Sequence, residues 1–143
     1  MKIQLSILFL LFTTTLALAQ DSFEQAVYHS EGDSLQYRIQ YPLNYDQTKK
    51  YPLVLFLHGA GERGSDNQSQ LTHGSALFAN PGMRNAFPAI VIFPQCPKDS
   101  YWANVDVDRS NYPIGITFHP DQEPTPHLKM AGELVASFID EGK

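Results

Sequence analysis

The chain has 143 residues and a formal net charge of −5, from 10 basic and 15 acidic side chains. This length limits it to one modest domain, and an acidic balance without a cluster of lysines or arginines argues against a nucleic-acid partner. Cys96 is the single cysteine, so an intrachain disulfide is excluded. Because it follows an apolar run, it is predicted to be a small buried hydrophobic side chain.

Residues 1–19 have the organisation of a secretory signal peptide. A positively charged Met-Lys start precedes residues 3–18, which are uncharged and largely apolar, and the Ala-Leu-Ala that ends at Ala19 matches a small-x-small cleavage site. A membrane anchor is the alternative, but polar residues dilute the run and it barely reaches spanning length. We therefore predict cleavage near Ala19, no stable membrane anchor, and an exported (periplasmic or extracellular) domain portion comprising residues 20–143.

Residues 22–41 are predicted to form an antiparallel strand pair. Apolar and polar side chains alternate from Leu35 to Tyr41, after a turn-like stretch at residues 31–34. This stretch and the next residue also spell Gly-Asp-Ser-Leu, the nucleophile tetrapeptide of the GDSL or SGNH esterases. In that class the serine follows an apolar strand, whereas Tyr-His-Ser-Glu precedes the tetrapeptide here. A turn is the favoured interpretation, and a GDSL-type esterase using Ser34 is the alternative.

The chain is organised around residues 51–67, which read YPLVLFLHGAGERGSDN. Residues 53–57 are a continuous apolar run, typical of a strand buried on both faces of a largely parallel sheet. Gly59, Gly61 and Gly64 follow, and they suit a tight turn whose backbone N–H groups another group approaches closely. Acyl-transfer enzymes build an oxyanion hole in this way, as a set of N–H donors for developing negative charge. A simple strand-to-helix turn is the alternative.

The string LHGAGERGSDN resembles the strand-and-loop signature of secreted α/β-hydrolases, in the branch of dienelactone-hydrolase-like, phospholipase/carboxylesterase-like and predicted-peptidase proteins. The likeness runs from about Gln36 to the C-terminus and includes FPAIVIFPQCP, followed by Trp102. It implies an α/β fold in which an N-terminal antiparallel strand pair leads into a mainly parallel sheet with flanking helices. It also implies that the amide after His-Gly, that of Ala60, is an oxyanion donor, with Gly61 as the neighbouring candidate. No cofactor is implied.

Four other residues of this loop are expected to support it. His58 is assigned a structural role, because α/β-hydrolases place the triad histidine last in chain order. Gly59 permits the turn. Glu62 and Arg63 are candidates to pair and brace the loop, and solvated charges are the alternative for both.

Further along the chain, a short helix is predicted within residues 66–80 and is expected to end at Pro81. A second buried strand is predicted at residues 89–93. A final helix is expected to open at Thr125, with threonine as its cap and proline in its first turn. Its apolar residues recur at steps of three and four, so they form one stripe to lie on the sheet.

Residues 98–124 show no clear periodicity, and loops of this length in a compact domain are usually functional or disordered. In the family the corresponding region lies near the active-site rim. Tyr101, Trp102 and Phe118 are therefore candidates to bind substrate, and covering the edge of the core is the alternative. The acidic and histidine side chains of this segment match no known metal-site spacing, so no metal is predicted.

The resemblance implies a Gly-x-Ser-x-Gly nucleophile elbow followed by an acid and a histidine. No serine of the chain has a glycine two residues away on both sides. The expectation is a secreted serine-type hydrolase of small-molecule or polymer carboxylic esters, truncated before the elbow and lacking its nucleophile, acid and histidine. A non-catalytic secreted binding module that uses the Trp102 loop is the alternative. The strand at residues 53–57 would then leave a sheet edge unpaired, which favours self-association.

Overall fold

The computed structural model of the protein describes residues 22–140. The predicted signal peptide at residues 1–19 lies outside the described residues. The strands are β1 (Glu24–Ser30), β2 (Asp33–Gln40), β3 (Leu53–Leu55), β4 (Ile90–Pro94), β5 (Val105–Asp108) and β6 (Gly115–Phe118). The α-helices are α1 (Ser75–Ala79), α2 (Pro81–Ala86) and α3 (Pro126–Asp140). Within the described range, no helix has the length and apolar character needed to cross a membrane.

A mixed four-stranded sheet organises the fold, with the strand order β1-β2-β4-β3. β1 and β2 form the predicted antiparallel pair, β4 lies antiparallel to β2, and β3 lies parallel to β4. The turn between β1 and β2 has positive φ angles at Glu31 and Gly32. Ser34, which the GDSL alternative would use, is therefore the second residue of a strand that follows a tight turn.

β4 is the strand that is covered on both faces, and all five of its residues are buried. Ile90 and Ile92 belong to one core cluster, together with Leu134 and Phe138 of α3. The intervening Val91 and Phe93 belong to a second cluster; Phe93 stacks on Phe56 at 4.5 Å between ring centroids. Successive side chains of β4 point to opposite faces of the sheet, so this strand contributes to a core cluster on each face. The prediction of a buried strand at residues 89–93 is confirmed.

The expectation that residues 53–57 are buried on both faces is met only in part. Leu53 and Leu55 pack against one core cluster and Val54 and Phe56 against the other, but none of the five residues is fully buried. β3 covers Leu53–Leu55, and all three residues are only partly buried, while Leu57 is 38% exposed. The physical reason is position, since β3 lies at the end of the sheet and pairs with β4 alone among the described residues. An unpaired edge was predicted here, and it is present in the described part of the chain.

The prediction of a short helix within residues 66–80 that ends at Pro81 is confirmed by α1, which ends at Ala79. What was not predicted is that Pro81 also begins a further helix, α2. The side chain of Asn80 caps this helix by accepting a hydrogen bond from the Met83 N–H at 3.1 Å. Proline suits a first helical turn, where its missing N–H has no partner to lose. The start of α3 is also as predicted: the Thr125 hydroxyl accepts from the Leu128 N–H at 3.3 Å.

A hairpin, β5–β6, occupies the segment in which no periodicity was recognised. Its register pairs Val105 with Phe118 and Val107 with Ile116. The four-residue Val-Asp-Val-Asp alternation of β5 was a strand signal. It was too short to stand out in a segment rich in proline, tyrosine and aspartate.

Candidate functional site

The glycine loop leaves the carboxyl end of β3 and forms a 3-10 turn at Ala60–Glu62. Gly59 precedes the turn in an extended conformation, with φ −76° and ψ 176°. The first amides of a helical turn have no acceptor inside it, because the carbonyls that they would reach lie before the turn begins. The N–H groups of Ala60 and Gly61 are therefore available to an external oxygen atom, and both residues are exposed.

The direction of the Ala60 amide is held through the carbonyl of the same peptide. The Gly59 carbonyl lies 2.7 Å from Nδ1 of His58 and accepts from the Glu62 N–H at 3.3 Å. In a trans peptide the N–H points away from the C=O, so two bonds on this carbonyl also orient the Ala60 N–H. A donor fixed before reaction needs no reorganisation when negative charge develops.

The Gly61 amide is held in the same manner by Arg63. Arg63 Nε donates to the Ala60 carbonyl at 2.9 Å, and this carbonyl shares its peptide plane with the Gly61 N–H. Nη1 of the same guanidinium donates to the Ser100 carbonyl at 2.8 Å. Its Cζ lies 3.9 Å from the centroid of the Tyr101 ring. Arg63 therefore ties the turn to the segment that follows β4.

His58 is enclosed, with 5% of its surface exposed. Its Nε2 accepts from the backbone N–H of Cys96 at 3.0 Å, so Nδ1 carries the proton and donates it to the Gly59 carbonyl. The Trp102 Nε1–H donates to the His58 carbonyl at 3.2 Å. With both ring nitrogens engaged, the contacts of His58 are those of a positioning residue, and burial lowers the pKa of its ring.

A pH dependence of stability follows from this arrangement. Because the folded protein lowers the pKa of His58 below 6.5, the unfolded chain takes up the proton first. The stabilising contribution is complete above pH 6.5 and is lost as the pH falls through the folded pKa. We expect the urea midpoint to fall between pH 7.5 and 5.5, and to fall less in His58→Gln, whose side chain does not titrate.

The control for that measurement is His29→Gln, at an exposed position of β1. Equal pH slopes in the parent protein and in His58→Gln would contradict the assigned role of His58.

Glu62 and Arg63 do not form the pair that was considered for them. Oε1 of Glu62 lies 3.4 Å from Nε2 of His73, whereas Arg63 bonds to backbone carbonyls and stacks on Tyr101. Neighbouring residues of a tight turn point in different directions, so each side chain finds a partner on a different segment.

Gln95 supports the loop and was not predicted. It is 2% exposed; its Oε1 accepts from the Asn67 N–H at 2.8 Å, and its Nε2 donates to Asp66 Oδ1 at 2.7 Å. Hydrogen bonds from Ser69, Gln95 and Gln68 to the Asp66 carboxylate hold the pKa of that group well below its usual range. Its position directly after a fully apolar strand is a local hint of a special role, but the hint does not identify the loop that Gln95 binds.

A cavity of about 240 Å³ adjoins the loop and brings together several of the predicted site residues. Ala60 and Arg63 line it from the loop, and Tyr101 and Trp102 line it from the segment after β4. Gly61 is not among its lining residues. The two parts meet because the loops after β3 and β4 leave the same end of two parallel neighbouring strands.

The β5–β6 hairpin forms the third wall of this cavity. Val105, Val107, Ile116 and Phe118 all line it, so one face of the hairpin is apolar and turned to the cavity. Ile116 and Phe118 are 55% and 64% exposed. The lining is apolar apart from Arg63 and Tyr101, and therefore suits an organic group more than an ion.

Among residues 22–140, no group of three or more histidine, cysteine, aspartate or glutamate side chains is arranged to hold a metal ion. Asp106 and His119 form a pair on the hairpin, with 2.7 Å between Oδ2 and Nε2. Cys96 is a free thiol with no exposed surface, as predicted, and burial raises its pKa.

Comparison with known proteins identifies esterases and a peptidase as similar. The crystal structure of a thermostable esterase matches 87% of this chain with a TM-score of 0.70 and 33% identity. A CE1 ferulic acid esterase of Anaeromyces mucronatus, in complex with ferulic acid, matches 62% of the chain at 25% identity with a TM-score of 0.41, and 34% of that chain is covered. Probable dipeptidyl-peptidase 5 of Aspergillus niger is 34% identical over 65 residues, 46% of this chain.

The chain covers 32% of the thermostable esterase and 9% of the dipeptidyl-peptidase. No model of a protein family matches it. The likeness to the thermostable esterase extends over most of the chain at a TM-score well above that of the ferulic acid esterase. The described residues therefore form an incomplete α/β-hydrolase fold, and the chain is similar to hydrolases, with esterases among them.

Proposed function

We propose that the chain supplies the oxyanion loop and the substrate cavity of an exported serine-type hydrolase of carboxylic esters. The observation that carries the proposal is the pair of amides at Ala60 and Gly61. Neither has an acceptor inside its turn, and the carbonyl that shares each peptide is held by hydrogen bonds. The adjoining cavity is apolar, as required for the organic part of an ester.

The chemistry is acyl transfer through a serine ester. A serine outside these 143 residues attacks the ester carbonyl while a histidine accepts the serine proton and then delivers it to the departing alkoxide. Water attacks the acyl-serine in the second half, which releases the acid and restores the serine. In both halves the negative carbonyl oxygen binds to the Ala60 N–H and to the amide after the nucleophile.

The test is to read the gene beyond codon 143, express the encoded protein and treat it with a fluorophosphonate probe. We expect the probe to label one serine beyond residue 143 and p-nitrophenyl esters to be hydrolysed. Labelling of Ser34 instead would support the GDSL-type alternative. Ligand binding with neither labelling nor turnover would support a binding module. Cleavage of peptides in preference to esters would assign the site to a peptidase.

The unpaired edge of β3 supports a further proposal, that the 143-residue chain associates with itself through this strand. Among the described residues, β3 has no strand neighbour on the side away from β4, and Leu53–Leu55 include no proline or charge. We expect sedimentation velocity to give dimers or larger species, and Val54→Lys to shift the distribution towards monomer. A concentration-independent monomer in the parent chain would contradict the proposal.

A further inference from the structure

Two guanidinium groups contact Tyr101, which lines the cavity. Arg63 is itself a lining residue, whereas Arg109 lies outside the lining, next to the tyrosine hydroxyl. Arg63 covers the face of the tyrosine ring at 3.9 Å. Nη1 and Nη2 of Arg109 lie 3.4 and 3.3 Å from the Tyr101 hydroxyl. Within residues 22–140, neither arginine has a carboxylate within 4.0 Å. The chain has 15 acidic and 10 basic side chains, so two neighbouring guanidiniums without a carboxylate partner are unexpected and suggest an anionic ligand.

The carboxylates nearest to Arg109 in the sequence are committed elsewhere. Asp108 accepts from the N–H of Ser110 at 2.8 Å and from its hydroxyl at 2.5 Å. Asp106 pairs with His119. Both aspartates alternate with the valines of β5 that line the cavity, so they belong to the opposite face of the hairpin.

The two arginines differ in how many of their donors are already used. Arg63 donates to two backbone carbonyls, those of Ala60 and Ser100. Arg109 is exposed and contacts only a neutral phenol among the hydrogen-bond partners in the described range. Both lower the pKa of Tyr101, with the hydrogen bonds from Arg109 as the largest cause, which agrees with a positive potential beside this tyrosine.

We propose that the cavity selects compounds with an apolar, ring-sized body and a carboxylate at one end. The body lies between Trp102 and the apolar face of the hairpin, and the carboxylate binds Arg109 beside Tyr101. Placing this carboxylate on an ester substrate rests on the proposed function. The binding preference itself does not, because it needs no turnover.

Trp102 is the single tryptophan of the chain and lines the cavity. It also lines a neighbouring cavity that includes His119, so its fluorescence reports binding at either one, and the Arg109 variant distinguishes them. We would titrate the full chain with 4-phenylbutanoate and with its neutral amide. The carboxylate is expected to bind about fivefold more tightly, as for a solvent-accessible charge pair. In Arg109→Gln the two affinities should agree within about twofold, with the amide unchanged.

The matched control is Lys49→Gln, which also removes one positive charge. Lys49 is an exposed residue of the 42–50 loop, and in the parent chain it pairs with Asp46. It should leave the preference for the carboxylate intact. Equal affinities for the two ligands in the parent chain, equal effects of the two variants, or no fluorescence response would overturn the proposal. If the protein hydrolyses esters but does not prefer the carboxylate ligand, the proposed function stands and this binding proposal fails. If it prefers the carboxylate but the probe labels no serine, the proposed function fails and the binding proposal stands.

Discussion

Ala60→Pro is expected to lower kcat of the ester hydrolase encoded by the gene by about 10²–10³-fold, the usual cost of removing one oxyanion donor. Proline lacks the backbone N–H that we assign to the developing oxyanion. KM should change by no more than about threefold, because the donor acts mainly on the transition state. Steady-state hydrolysis of a p-nitrophenyl ester measures both constants.

The local backbone conformation accommodates proline at position 60, so the substitution removes the N–H without disturbing the fold. Ala60 is the first residue of a 3-10 turn, where proline has a suitable φ. Gly59 before it is extended, with ψ 176°, as a residue that precedes proline prefers. Loss of activity should therefore occur without loss of the fold, which the unfolding midpoint in urea checks.

Ala60→Ser is the control for the Ala60→Pro experiment, since it changes the side chain and keeps the amide. It should retain kcat within about threefold, since side-chain bulk at this position is not part of the proposed chemistry. If Ala60→Pro also retained kcat, the oxyanion assignment would be wrong, even if the protein were an esterase.

Gly74→Ala is expected to lower the free energy of unfolding by about 3–5 kcal/mol, from backbone strain and overpacking together. Gly74 has a φ of +83°, and a Cβ there would lie 2.6 Å from Cζ of Phe56. The Phe56 ring has little room to move, because it stacks on Phe93 and packs edge-on to Phe78. Urea unfolding followed by Trp102 fluorescence gives the change.

Gly32→Ala separates these two causes. Gly32 has a similar φ of +90°, but a Cβ there would meet no atom within 4 Å. It should therefore cost only the strain, about 1–2 kcal/mol. Equal losses in the two variants would mean that the contact with Phe56 adds nothing.

Several elements were predictable because their signals are local. The alternation from Leu35 to Tyr41 predicted β2, the apolar run at residues 89–93 predicted β4, and the Thr125 cap predicted the start of α3. Each signal depends on periodicity or on capping within one turn, and does not require knowledge of distant partners. Pro81 shows the limit, because the sequence predicted it as the end of one helix but not as the start of the next.

The sequence predicted which residues belong to the site better than it predicted how they are arranged. The glycines and the resemblance identified Ala60 and Gly61, and the aromatic residues identified Tyr101 and Trp102. Neither source indicated that His58 and Arg63 would orient the two amides through their carbonyls. Gln95 was missed because a glutamine after a strand acquires meaning only when the loop that it binds lies beside it.

The sequence by itself determined the buried strand, the capped final helix, the glycine turn and the likeness to hydrolases, since each resides in a short stretch of residues. Only the tertiary structure decided that β3 is three residues long and partly exposed, and that the hairpin forms a wall of the cavity. It also decided that Arg63 reaches Ser100 and that His58 reaches Cys96. These contacts span about 40 residues, and they form because parallel pairing of β3 with β4 delivers both following loops to one end of the sheet.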